Sequence, residues 1–244
     1  MRFSANTGFL WRDRPFLERI ERAALAGFEA VEFHDEAQSE SLRELKRRLA
    51  ATDVTVTGLN TAGGAALPGR EREARDAIDH ALHVAREVGA GYVHVVAGDV
   101  RGDDARAAYL GALAFAVEQA GNIDVVIEPI SEAARPSYHL FDLDDALGVA
   151  RATGARVMFD CFHIAMQHGD VLKRFRTALP TVAHVQIASV PERHEPSAGT
   201  PNYAALLPAM VEAGYTGAFG CEYVPAATVE AELGWRDVIR GKNA

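Results

Sequence analysis

Cysteine is scarce in this chain of 244 residues: Cys161 and Cys221 are the only two. They supply neither a disulfide framework nor the clustered thiols of a zinc site, so both are expected to be reduced and the compartment cytoplasmic. No stretch approaches the roughly 18 apolar residues of a membrane span. Met1 to Phe16 carries Arg2, Arg12, Asp13 and Arg14 and does not read as a secretory signal. A basic stripe is missing too. The formal charge is −9, spread along the chain, which argues against a surface built to neutralise nucleic-acid phosphates. Nor does a glycine-rich phosphate fingerprint follow the first strand, since Asn6-Thr7-Gly8-Phe9 has a single glycine, and no nucleotide cofactor is expected. No linker of composition or charge marks a domain boundary, so residues 1–244 are read as one domain.

What is present is a repeat of short apolar runs and helical patterns. With 48% hydrophobic residues the chain can build one large core. Strands are expected at Arg2–Asn6, Glu29–Phe33, Val54–Leu59, Gly91–Val96, Asp124–Ile130, Arg156–Asp160, Thr181–Ile187 and Gly217–Glu222. Between and after them, helical spacing covers Pro15–Ala26, Ser41–Ala51, Arg70–Val88, a stretch capped by Asp103 or Asp104 and running to Ala120, Leu143–Thr153, Asp170–Ala178, Asn202–Glu212 and Ala231–Ile239. Strand and helix alternating eight times through short connections predict a closed, single-domain (β/α)₈ TIM barrel of class α/β, with an open doubly wound sheet as the other arrangement.

The ends of these strands are polar. Asn6, Glu32, Asn60, Glu128, Asp160, Gln186 and Glu222 close their respective runs, and Pro129 ends the fifth strand directly after Glu128. In a barrel of this kind these ends meet at one mouth, where chemistry is built. Carboxylates that converge there raise each other's pKa unless a cation compensates. An all-oxygen set selects Mg²⁺ or Mn²⁺ over zinc, so Glu128, Asp160, Gln186 and Glu222 are the expected metal ligands. Asn6, Glu32 and Asn60 are expected on the substrate side, Glu32 and Asn60 either at the rim or behind the ligands rather than as ligands themselves. His163, in the loop after Asp160, and the pair Arg193 and His194, in the loop after Gln186, are candidates for holding substrate oxygens, the arginine suiting a carboxylate. Cys161 and Cys221 flank ligands and should face the barrel wall, while His184 points inward below Gln186 as a buried hydrogen-bonding group.

Ile127-Glu128-Pro129-Ile130, Phe159-Asp160-Cys161-Phe162-His163, His184-Val185-Gln186-Ile187-Ala188, Arg193-His194-Glu195-Pro196, Gly220-Cys221-Glu222-Tyr223 and Leu233-Gly234-Trp235 resemble the hydroxypyruvate isomerase family of xylose isomerase-like barrels. The resemblance implies one divalent metal on Glu128, Asp160, Gln186 and Glu222, with Glu128 and Glu222 also the acid/base pair. It implies isomerisation of a small hydroxy-oxo acid, hydroxypyruvate to tartronate semialdehyde first, through an enediolate. A longer acid or sugar, such as a 2-oxo-tetronate or a ketose, is the alternative, and association of identical copies is left open. Ser131, where the family tends to have Asn, Ser189, where it tends to have Asp, and a short Asn60–Leu67 loop depart from the pattern and bear on substrate choice. A metal-dependent phosphoesterase or nuclease would need a different ligand set and a basic surface. A non-catalytic binding protein on the same fold is the remaining reading.

Overall fold

The computed structural model describes residues 1–197 and 199–240. Eight parallel strands close into a barrel in sequence order. They are β1 Phe3–Asn6, β2 Ala30–Phe33, β3 Thr55–Asn60, β4 Tyr92–His94, β5 Asp124–Ile127, β6 Arg156–Asp160, β7 Val182–Ile187 and β8 Phe219–Cys221. Helices α1 Phe16–Leu25, α2 Leu42–Thr52, α3 Glu71–Val88, α4 Asp103–Ala120, α5 Leu143–Thr153, α6 Cys161–His168, α7 Val171–Ala178, α8 Tyr203–Glu212 and α9 Trp235–Ile239 follow them. β1 pairs with both β2 and β8, which closes the ring without a free edge. No helix among the described residues is long and apolar enough to cross a membrane.

The open sheet is therefore excluded, and the expected elements are present with local differences. Three of these differences have clear physical causes. The sixth connection holds a helix of its own: α6 starts directly after β6, because Asp160 caps it by accepting a hydrogen bond from the Phe162 N–H. His163 consequently sits on a helical turn rather than in a loop. Asp103 and Asp104 do not cap α4; Gly102 occupies that position, and both acids fall in the first turn, where they complement the helix dipole. The last helical stretch divides into a 3₁₀ turn at Glu230–Glu232 and α9.

Side chains fill the barrel in two tiers set by the period of two along each strand. The lower tier includes Tyr92, Val126 and Met158, which pack together as an apolar plug. Two residues further along the same strands come His94, Glu128 and Asp160, all buried and polar. β7 follows the same spacing with His184 and Gln186, its register placing His184 beside Met158 and Gln186 beside Asp160. The much larger apolar cluster lies outside the strands, between them and the helices, and contains Phe3, Phe33, Phe159, Phe175 and Phe219. Cys161 and Cys221 are both buried in that outer layer as free thiols, Cys221 by the alternation of β8 and Cys161 as the first residue of α6.

Glycine makes room for the inner tiers. A Cβ on Gly58 would lie 2.2 Å from the Tyr92 ring, closer than any packing tolerates. Gly58→Ala should therefore destabilise the fold by about 1–3 kcal/mol through overpacking. Urea unfolding should show that loss, and Tyr92→Leu introduced into the Gly58→Ala protein should recover part of it.

Candidate active site

The seven polar strand ends gather at the C-terminal mouth of the barrel. Glu128 follows the last residue of β5, Asp160 ends β6, Gln186 is the penultimate residue of β7, and Glu222 follows β8. All four are buried. They line or underlie a cleft of about 290 Å³ bounded by Phe9, His34, Asn60, His94, Arg135 and Arg193 among others. A cleft of this volume suits a small, polar ligand.

Carboxylates crowd at this mouth, and their titration reflects it. Burial pushes the Glu128 carboxyl well above its ordinary range, and the charges of Glu222 and Asp160 push it further. Asp160 is pushed up to about 7, by burial and, against the opposing pull of Arg193, by Glu222. Glu222 is held at about 2, because Arg193 and a hydrogen bond from His34 outweigh its burial. Among the described residues, Arg193 is the guanidinium that contacts this cluster. It donates to Asp160 Oδ2 at 2.8 Å, to Glu222 Oε2 and, through Nε, to the Glu222 carbonyl at 3.2 Å. Its guanidinium carbon lies over the rings of Phe9 and Phe162, 4.9 and 4.7 Å from their centres. His163 is a neutral imidazole: burial and Arg193 lower its pKa, Nε2 accepts from Arg193 at 3.0 Å, and Nδ1 meets the Ser131 hydroxyl at 3.1 Å.

Two oxygens of the expected ligand set, Glu128 Oε1 and Gln186 Oε1, are buried without a hydrogen-bond partner among the described residues. Buried acceptors left in this state are costly. Glu128, Asp160 and His163 also bring one donor atom each within 4.8 Å of one another. This trio of two carboxylates and an imidazole fits a divalent cation; Glu222 stands outside it, its oxygens engaged by Asn6, His34 and Arg193. Arg193 neutralises only part of the negative charge.

The other candidates divide by position. Asn60 lies on the cleft wall, its Oδ1 3.2 Å from His94 Nδ1. Asn6 and Glu32 lie beneath the cleft and are almost fully buried, which places them in the supporting layer rather than at the substrate rim. Arg193 and His194 separate because Arg193 adopts a left-handed backbone with φ 59°. The guanidinium turns inward, while His194 Nδ1 donates to the Val224 carbonyl at 2.8 Å on the outer side of the loop. His194 thus does not join the cleft. Ser131 is likewise occupied as the support of His163. The short loop after Asn60 is tied to the chain after β4 by Ala65 N–H to Val96 O and Ala66 N–H to Ala97 O, both 2.8 Å. His34, His94 and Arg135 are cleft residues beyond those expected from the sequence. His94 had a partial signal, a polar residue at the inward spacing of two from Tyr92 inside the expected fourth strand, and the structure ends β4 there in register with Asn60. Arg135 had none: it is positioned by a loop, by Asp99 at 2.6 and 3.0 Å and by the Tyr138 ring.

Known proteins match this geometry. Residues 20–240 fit the model of the family described as xylose isomerase-like TIM barrel. The chain is 40% identical to the 2-oxo-tetronate isomerase of Cupriavidus necator over 99% of both chains. It is 31% identical to the hydroxypyruvate isomerase of Escherichia coli, over 98% of this chain and all of that one. A solved structure described as an AP endonuclease, family 2, from Brucella melitensis superposes with a TM-score of 0.91 at 32% identity, covering 96% of this chain and 97% of that one. With its closed barrel, its polar strand ends and full-length relatives named as isomerases, this chain is an isomerase that belongs to the xylose isomerase-like TIM barrel family.

Proposed function

We propose that the protein is a metal-dependent isomerase of a small hydroxy-oxo acid, moving a proton between C3 and C2 of the substrate. The observation that carries this reading is the pair of buried oxygens on Glu128 and Gln186 that have no hydrogen-bond partner among the described residues, at the base of a small cleft lined by Glu128 and Glu222. Glu128, Asp160, Gln186 and Glu222 would hold Mg²⁺ or Mn²⁺, with His163 adjacent. When bound, such a cation supplies charge neutralisation and polarises the substrate carbonyl and its neighbouring hydroxyl.

The chain's own groups perform the proton transfer. One of Glu128 and Glu222 takes the proton from C3 and a carboxyl returns it to C2, the C2 carbonyl becoming a hydroxyl and the C3 hydroxyl a carbonyl. General acid/base work of this kind contributes roughly 10² to 10⁴ in rate. Arg193 and His163, already hydrogen-bonded to each other at the mouth, would orient substrate oxygens. The net change is internal, so the absent dinucleotide fingerprint is consistent with it.

Hydroxypyruvate and a four-carbon 2-oxo-tetronate share this C3-to-C2 chemistry. The 40% identity to a 2-oxo-tetronate isomerase, against 31% to a hydroxypyruvate isomerase, favours the four-carbon acid. Side-by-side kcat/KM values for the two acids decide between them, and turnover of neither would remove the proposal. A nuclease activity, suggested by the name of the Brucella melitensis relative, is disfavoured by the acidic balance of the chain.

Glu128→Gln and Glu222→Gln should each lower kcat by at least about 10²-fold; a variant of near wild-type activity would refute its assigned role. Turnover in D₂O should place deuterium on C2 of the product, detected by proton NMR, whereas a hydride shift would leave C2 unlabelled. Stability should also depend on pH. Because folding raises the Asp160 pKa from 3.8 to about 7, the metal-free folded state binds more protons than the unfolded chain between those values, and this group's contribution to stability falls as pH rises through that window. Asp160→Asn should flatten that slope in urea unfolding of the metal-free protein, as should saturating Mn²⁺ in the wild type.

A further inference from the structure

Glu32 lies under the mouth and is 1% exposed. Its carboxylate receives donors from three other strands, β1, β3 and β7, the β3 donor being Thr57 Oγ1 to Oε2 at 3.4 Å. Asn6 Nδ2 reaches Oε1 at 3.0 Å and Gln186 Nε2 reaches the same oxygen at 2.8 Å. His184 Nε2 reaches Oε2 at 2.8 Å, with the His184 ring packed against Tyr92 at a centre separation of 4.8 Å. The barrel wall reserves space for this group, since a Cβ on Gly220 would lie 2.5 Å from Glu32 Oε2 and 2.6 Å from His184 Nε2.

A glutamine side chain has two unlike ends: its oxygen can ligate a cation and its NH₂ cannot. Glu32 Oε1 already accepts from Asn6 Nδ2, and Gln186 turns its NH₂ end to the same oxygen. The opposite end is then the Gln186 Oε1 that has no hydrogen-bond partner. We propose that Glu32 is a positioning residue that fixes the Gln186 amide with its oxygen free for the cation, His184 holding Glu32 in place from the other side. This rests on the metal-dependent reading above. Without the carboxylate the amide can flip, and a flipped amide offers the cation two N–H groups. Groups that orient a ligand in this manner typically change metal affinity about 10- to 100-fold when altered.

Mn²⁺ titrated calorimetrically into the metal-stripped full chain tests the proposal without relying on turnover. Glu32→Gln keeps the shape but brings an NH₂ into a cluster of donors, and should weaken Mn²⁺ binding about 10- to 100-fold. Adding Gln186→Glu to it should restore affinity, because a carboxylate accepts from the new NH₂ and still presents an oxygen. Gln186→Glu alone, facing Glu32, should weaken binding through like-charge repulsion. Gly220→Ala displaces the same carboxylate with every polar residue retained, and should weaken binding even if Glu32→Gln does not fold. Unchanged Mn²⁺ affinity in Glu32→Gln or Gly220→Ala overturns the proposal, as does a double variant no better than Glu32→Gln, which would mark Glu32 as a purely structural partner of His184. Failure of the wild type to bind Mn²⁺ or Mg²⁺ would instead remove the metal-dependent reading itself.

Discussion

The constraint on which this molecule turns is the burial of several carboxylates in one mouth. Burial alone disfavours ionisation, and each neighbouring charge adds to the penalty. Glu128 and Asp160 respond by rising toward neutrality, while Glu222 stays ionised because Arg193 and His34 face it. The protein therefore does not distribute its counter-charge evenly. It gives Glu222 and Asp160 a guanidinium, surrounds Glu32 with Asn6, Thr57, Gln186 and His184, and leaves an oxygen of Glu128 without a hydrogen bond among the described residues. An arrangement so incomplete within a close-packed interior is characteristic of a site completed by a ligand.

The fold supports that arrangement through the period of the strands. Because inward-facing residues alternate, moving two positions along β4, β5 or β6 passes from Tyr92, Val126 or Met158 to His94, Glu128 or Asp160. The apolar plug seals the bottom of the barrel, and the polar tier rests directly upon it. Precision at the top thus depends on rigid packing one tier below, where Gly58 and Gly220 are two positions at which the wall yields space to large inner side chains. The helices and outer core hold the ring of strands closed but contribute little to the mouth itself. α6 is the exception, since it carries His163 to the cleft on its first turn.

The fold was legible because eight apolar runs each ended in a polar residue or a turn signal, and only a closed barrel brings such ends together. The same logic located Glu128, Asp160, Gln186 and Glu222, whose positions follow from strand register alone. It could not separate Asn60, on the cleft wall, from Glu32 and Asn6 beneath it, because depth depends on the stagger of neighbouring strands, including the irregular register between β2 and β3. Loop residues were the least legible. Arg193 and His194 are adjacent in sequence, yet a single left-handed φ at Arg193 sends one inward and the other outward. Arg135 reaches the cleft only by virtue of Asp99 and Tyr138, neither of which is marked by sequence spacing.

That division has a chemical counterpart. Groups set by strand register are the oxygen donors, whose mutual distances must be fixed if one cation is to meet them all. Groups set by loops and by α6, namely Arg193, Arg135 and His163, line the same cleft. Substitutions such as Ser131, which supports His163, alter this second set while leaving the first untouched. A barrel so organised can keep one proton-transfer chemistry while its loops exchange one hydroxy-oxo acid for another. Relatives named for two different substrates, each similar to this chain over nearly its whole length, accord with such an organisation.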